Sequence, residues 1–167
     1  MEIGLIRPEE CVELGRITLA AYRALNGAEP LGPYESELLD VDARRRDSEV
    51  YVARDDDHLV GGVTYVPSPH HAMAEFRDPD ACGIRMLAVD PAHQGRGVGA
   101  ALVRRCIARA AEQRRSRIIL HSAPSMVLAQ AMYVKLGFER APELDELIHE
   151  DSLDDAGLLL RAYTFSL

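Results

Sequence analysis

The sequence predicts an α/β (α+β mixed) fold, a central mixed sheet with helices on both faces. Three observations predict it. Glu49–Arg54 and Leu59–Pro67 are short, Val- and Tyr-rich runs either side of a polar turn, so they read as an antiparallel hairpin. Gly83–Val89 and Arg117–Ser122 are apolar strands with a strongly amphipathic segment, Gly97–Gln113, between them, which makes a β-α-β unit. The 167 residues are 47% apolar and contain no repeat, low-complexity tract or linker, so one domain, 1–167, is expected.

The elements follow in order. Glu2–Arg7 is a first strand. Pro8 opens a helix with Glu9 and Glu10 in its first turn, where the helix dipole favours anions. Cys11, Leu14, Ile17, Thr18, Ala21 and Tyr22 recur at helical spacing, and Asn26-Gly27 closes the segment. A second helix is expected over about Pro33–Arg46. After the hairpin, Ser68–Cys82 shows no period and is rich in proline, so it reads as a functional loop. In Gly97–Gln113 one face carries Val98, Leu102, Cys106 and Ala110, and the other Arg105, Arg109 and Glu112. Met126–Leu136 is a helix stopped by Gly137. Phe138–Ala141 and Leu158–Leu167 complete the strands.

Composition excludes several classes. A net charge of −8 argues against general nucleic-acid binding. Ala141–Gly157 has no Lys or Arg but carries Glu143, Asp145, Glu146, Glu150, Asp151, Asp154 and Asp155. Such a run is first a solvated loop, and second a field that attracts a cationic amine. No apolar stretch is long enough for a membrane span, and the start resembles no leader, so a cytoplasmic protein without membrane association is expected. Cys11, Cys82 and Cys106 are widely spaced and odd in number, which reads as buried reduced thiols. His70-His71 lacks a third ligand at metal spacing, so no metal is expected.

The segment Met86–Leu102 carries the chemistry. A strand ends at Val89, Asp90-Pro91 turns the chain, and Gly95, Gly97 and Gly99 open a helix. The first amides of a helix lack internal partners and carry partial positive charge. Glycines let an anion approach them, so Gln94, Gly95, Arg96, Gly97, Val98, Gly99 and Ala100 form a candidate pyrophosphate loop. A Walker A loop is excluded by the missing Gly-Lys-Ser/Thr. Gly95-Arg-Gly97-Val-Gly-Ala100 satisfies a dinucleotide fingerprint, but no acid ends the next strand at His121-Ser122.

Gln94-Gly-Arg-Gly97-Val-Gly99 resembles the Gln/Arg-x-x-Gly-x-Gly/Ala motif of GNAT (GCN5-related) N-acetyltransferases. Leu87-Ala-Val-Asp-Pro upstream and Ala129-Gln-Ala-Met-Tyr133-Val-Lys-Leu-Gly-Phe138 downstream resemble that family's flanking blocks. The resemblance implies the GNAT fold across the whole chain and acetyl-CoA as cosubstrate. It implies transfer of an acetyl group to a primary amine of a small molecule, peptide or protein by direct attack. The cofactor would lie between Gly83–Val89 and Arg117–Ser122, against backbone groups of Leu87, Ala88 and Val89, the Gln94–Ala100 amides, Ser125, Ala129 and Tyr133.

The same resemblance makes Tyr133 the general acid, able to protonate a leaving thiolate. For the general base, relatives' Glu at the start of the central strand is replaced by Gly83. The candidates that remain are His121, Glu75 and a water chain. Met126 stands where relatives carry Asn, which leaves Ser125 or water for that contact. Arg104, Arg105 and Arg109 form a solvated face from which one arginine could reach the ribose phosphate. Tyr22, Tyr34, Phe76 and the acidic stretch would line the acceptor side, and a homodimer is the assembly the resemblance implies. The readings that compete are a non-catalytic acyl-CoA sensor and a nucleotide-dependent oxidoreductase.

Overall fold

The computed structural model describes residues 1–56, 58–148 and 157–167. Its strands are β1 (Glu2–Leu5), β2 (Glu49–Asp55), β3 (His58–Val66), β4 (Ala81–Val89), β5 (Arg117–Ser122), β6 (Glu139–Arg140), β7 (Glu146–Ile148) and β8 (Leu158–Ser166). The helices are α1 (Cys11–Leu25), α2 (Tyr34–Leu39), α3 (Val41–Asp47), α4 (Val98–Glu112) and α5 (Val127–Lys135). The sheet runs β1-β2-β3-β4-β5-β8-β6, and β7 pairs with β8. Pairing is antiparallel everywhere except between β4 and β5, which are joined through α4. This is the mixed sheet with helices on both faces that the sequence predicts.

The two faces are packed separately. Under α4, Val98, Leu102, Val103, Cys106 and Ala110 meet Tyr51, Val63, Tyr65, Ile84, Ile118 and Leu120. On the other face Cys11 and Leu14 of α1 and Val41 of α3 meet Val50, Val52 and Leu59. Alternate residues of β2 and β3 thus enter different cores, as a two-residue side-chain period requires. Cys11, Cys82 and Cys106 are all buried and free.

Four expectations need correcting. The single helix over Pro33–Arg46 is two, broken at Asp40 (φ −81°, ψ 64°). The Asp40 carboxylate accepts from the Ala43 amide at 3.0 Å, so it caps α3 rather than continuing α2. The first helix begins with a 3₁₀ turn over Pro8–Glu10 before α1. The strand at Phe138–Ala141 shrinks to Glu139–Arg140, and the acidic stretch contains β7, which pairs with Leu158–Leu160. Glu150, Asp151, Asp154 and Asp155 of that stretch lie outside the described residues.

Two irregularities in β4 shape the site. Between the pairs Gly62↔Ala88 and Thr64↔Arg85, β4 carries one residue more than β3, which is a β-bulge. Met86 sits in it at φ 51°, a left-handed conformation that costs a residue with a Cβ about 1–2 kcal/mol. The buried Arg44 of α3 donates to Met86 Sδ at 2.6 Å and to the Leu38 carbonyl at 3.1 Å, bracing the bulge from the α1 side. The second irregularity is a splay. β4 and β5 pair from Ala81↔Arg117 to Ile84↔Leu120 and then part, although β4 runs on to Val89 and β5 to Ser122.

Candidate active site

The splay decides which backbone groups of β4 are free. Asp90 donates to Val60 O at 2.9 Å, and Ala88 pairs with Gly62 in the same phase of the ladder. Hydrogen-bonded and non-bonded positions alternate along an antiparallel pair. Ala88 therefore directs its backbone groups to β3. Leu87 and Val89 turn theirs to the open edge facing β5. There the Val89 carbonyl accepts only the Gln94 side-chain amide, at 3.4 Å, among the described residues.

Beyond Val89 the chain turns through Asp90, whose carboxylate accepts from the Ala92 amide at 2.9 Å. The amides from Gln94 to Ala100 have no protein acceptor among the described residues; the first helical bond is Ala101 to Gly97 O, at 3.0 Å. Gly95 (φ 76°) and Gly97 (φ 81°) are left-handed, and open space lies where a Cβ would stand. The loop can thus curl its amides outward ahead of α4, the arrangement an anion needs. Gly99 faces α5 instead, with its would-be Cβ 3.3 Å from Met132 Sδ, and Val98 is buried beneath the loop. Arg96 and Gln94 are exposed at its rim.

Two of the α4 arginines are engaged in ion pairs. Arg109 makes a bidentate pair with Glu49 (2.8 Å) and meets Glu112 (3.1 Å). Arg105 bonds Glu112 at 2.9 Å and stacks 4.8 Å from the centre of the Tyr51 ring. Both are tied to the far end of the helix, and Arg104 is exposed.

On the α1 side, a cavity of about 830 Å³ opens at the splay. Ile84, Arg85 and Met86 of β4, His121 at the end of β5, and Ser125 form its polar and inner part, while Leu25, Leu31, Ile148 and Leu160 supply apolar wall. Tyr22 and Tyr34 line it as a tilted pair with ring centres 6.2 Å apart. A smaller cavity of about 650 Å³ adjoins it, lined by Phe76, Asp78, Arg117, Glu143 and Glu146. Glu75 and His121 line both.

His121 is held from two sides. Its Nε2 lies 2.9 Å from the Leu144 carbonyl, which can only accept, so Nε2 carries a proton. Its Nδ1 lies 3.6 Å from Glu75 Oε2. Glu75 Oε1 in turn meets Arg85 at 2.8 Å. Burial raises the Glu75 pKa, and Arg85 and His121 pull it down. Sequence reasoning named Glu75 and His121 separately and missed Arg85. The signal for Arg85 was a lone cation in the apolar strand Ile84–Val89.

Tyr133 is buried in α5 beside Phe138 (5.7 Å between ring centres) and Tyr163 (6.2 Å). Burial raises its pKa, so the hydroxyl stays protonated at neutral pH, and it has no hydrogen-bond partner among the described residues. It is not part of the lining of the larger cavity. Gln130, one turn earlier, anchors the β5–α5 turn by donating to Ala123 O at 2.7 Å and accepting from the Tyr163 hydroxyl at 3.2 Å. Ala129 packs against the α4-side core. Among the described residues no group of three His, Cys, Asp or Glu is arranged to hold a metal, and His71 instead meets the Asp47 carbonyl. None of the described helices is long and apolar enough to cross a membrane.

Comparison with known proteins gives this geometry a family. Residues 16–138 match the model of the Acetyltransferase (GNAT) family. Over 90 residues the chain is 30% identical to human N-acetyltransferase 8B, a match covering 54% of this chain but only 38% of that protein. Among solved structures, a ribosomal-protein-alanine N-acetyltransferase from Brucella melitensis superposes over 100% of both chains with a TM-score of 0.72 at 19% identity. A GNAT family acetyltransferase from the same organism, in complex with acetyl-CoA, covers 83% of this chain and 82% of its own with a TM-score of 0.62 at 23% identity.

Proposed function

The chain belongs to the acetyltransferase (GNAT) family, and from that membership we propose that it transfers an acetyl group from acetyl-CoA to a primary amine. The observation that carries the proposal is the continuity of two features. The β4–β5 splay, with the Leu87 and Val89 backbone groups on its open edge, leads into the unpartnered amides of Gln94–Ala100. The residues fit the group: a pantetheine arm needs an open strand edge, and a pyrophosphate needs outward amides with no Cβ in the way, as at Gly95 and Gly97. When bound, acetyl-CoA supplies the activated acyl group.

The chain's own residues have three tasks. Backbone donors at the bulge are fixed in place before reaction, which is what stabilises charge developing on a carbonyl oxygen. Tyr133 holds a proton at neutral pH and gives it to the departing sulfur. The His121 side of the cavity takes a proton from the amine. The apolar wall and the Tyr22–Tyr34 pair favour an acceptor with an apolar or aromatic body over a polycation. The test is release of free thiol from acetyl-CoA with 2-phenylethylamine, spermidine and an N-terminal alanyl peptide as acceptors. Saturable release with 2-phenylethylamine is expected, and absence of release with every amine despite acetyl-CoA binding would overturn the transferase reading.

A further inference from the structure

Glu75 and His121 are the only residues that line both cavities among the described residues, so they form the partition between the two. One compartment is the apolar acceptor space. The other is rimmed by the exposed Glu143 and Glu146, and therefore reaches water. Which protons the partition holds follows from its hydrogen bonds. Nε2 of His121 is committed as donor to Leu144 O. Nδ1 faces a carboxylate oxygen at 3.6 Å, and both are acceptors unless one further proton lies between them. The histidine side chain is 4% exposed, so water screens this mismatch poorly. An unprotonated pair is thus short of one proton.

We propose that Glu75 and His121 act as a single proton-accepting pair, taking the amine's proton in the larger cavity and releasing it to solvent through the smaller one. This rests on the transferase reading above. An ammonium acceptor loses two protons on becoming an amide while its nitrogen–carbon bond forms and the carbon–sulfur bond breaks. One proton ends on the thiol by way of Tyr133, which is refilled from the nitrogen. The other passes to the pair, and from it to water, so one proton leaves per turnover.

The surroundings favour this use. Arg85 of β4 balances the Glu75 charge at 2.8 Å. Glu146 of β7 and Glu37 of α2 act on Glu75 from the opposite sides and raise its affinity for a proton, as does burial. Tyr34 of α2 feels the Glu75 charge, Tyr22, Asp78, Arg117 and Glu143 line the cavities that Glu75 lines, and Asp145 lies near His121. The Leu144 bond fixes the imidazole, so capture needs no ring flip.

The test uses the full-length protein with acetyl-CoA and 2-phenylethylamine, followed from about pH 6 to pH 10. Glu75→Gln and His121→Gln each remove the capacity to take the proton, and the glutamine at 121 keeps a donor for Leu144 O. Each is expected to lower kcat at neutral pH by about 100-fold, within the usual range for general base catalysis, with acetyl-CoA affinity unchanged. The deficit should shrink as pH rises and the amine deprotonates unaided. The double variant should be no worse than either single, because the two act as one unit. Unchanged kcat, multiplicative losses, or a loss of acetyl-CoA affinity in step with kcat would overturn the proposal. An acceptor-independent check is the nitrogen NMR of His121 at neutral pH: Nε2 carries its proton against the Leu144 carbonyl, and Glu75→Gln changes the Nδ1 resonance. An Nδ1 resonance unaffected by Glu75→Gln overturns the pairing. Wild type that binds acetyl-CoA but turns over no amine overturns the transferase reading instead.

Discussion

Phe76 fills the space that a side chain at position 83 would need: a Cβ built on Gly83 would stand 2.6 Å from Phe76 Cε1 and 3.4 Å from the Ile119 carbonyl. The loop from β3 to β4 is thereby drawn down onto the sheet, and Glu75 is set between Arg85 and His121. The missing side chain at Gly83 is what lets Phe76, and with it the neighbouring carboxylate, sit against the sheet.

Gly83→Ala should therefore lift the Phe76 ring and cost about 1–3 kcal/mol by overpacking. For a chain of this length that is a fall in Tm of about 2–12 °C. Phe76→Ala combined with Gly83→Ala should recover part of the loss, since the residues collide directly. Simple additivity in thermal denaturation would show that the ring is not the obstacle.

Tyr133→Phe should separate chemistry from packing. The hydroxyl has no protein partner among the described residues, so its removal should change stability by no more than about 0.5 kcal/mol. Loss of the acid should lower kcat by about 100-fold with little change in the amine KM. Retained kcat in steady-state assays would assign Tyr133 to the Phe138–Tyr163 cluster alone.

Gly97→Ala should act on affinity more than on fold. The residue is left-handed at φ 81° with open space around its would-be Cβ, so alanine meets backbone strain of about 1–2 kcal/mol but no clash. Relaxing that strain redirects the Val98 and Gly99 amides. Acetyl-CoA affinity measured by calorimetry should fall about tenfold or more while α4 stays folded, and an unchanged Kd would remove the loop from the binding site.

The acid stability of the segment after α5 is set by Asp145. Its pairing with Arg140, and then the Ala162 amide at 2.8 Å, hold its carboxyl down at about 2, against an ordinary 3.8. A lowered folded pKa means that the contribution is fully present above the ordinary value and is lost as pH falls through the folded one. Asp145→Asn should lower Tm at neutral pH, and the gap to wild type should close between pH 3.8 and about 2. A gap independent of pH would mean that the charge plays no part.

Much of this was readable from residue pattern, because the signals were local. The hairpin, the β-α-β unit and the Gly95–Gly97 turn each lie within a few residues of their cause. Asp40 carried a readable capping signal, and the longer helical pattern hid it. The bulge at Met86 has no glycine or proline to mark it, because Arg44, distant in sequence, braces it. The fate of Arg109 depended on Glu49. The partition between the cavities joins a loop, a strand end and the Leu144 carbonyl, and no spacing rule connects these.

The most direct measurement is a thermal-shift titration with acetyl-CoA, with NAD and ATP as controls. A ligand that binds only the folded state adds about 2.7 kcal/mol at a hundredfold excess over Kd. The account predicts a saturable rise in Tm with acetyl-CoA and none with NAD or ATP. No shift with acetyl-CoA, or a shift with NAD instead, would contradict the assignment of the Gln94–Ala100 loop and the function built on it.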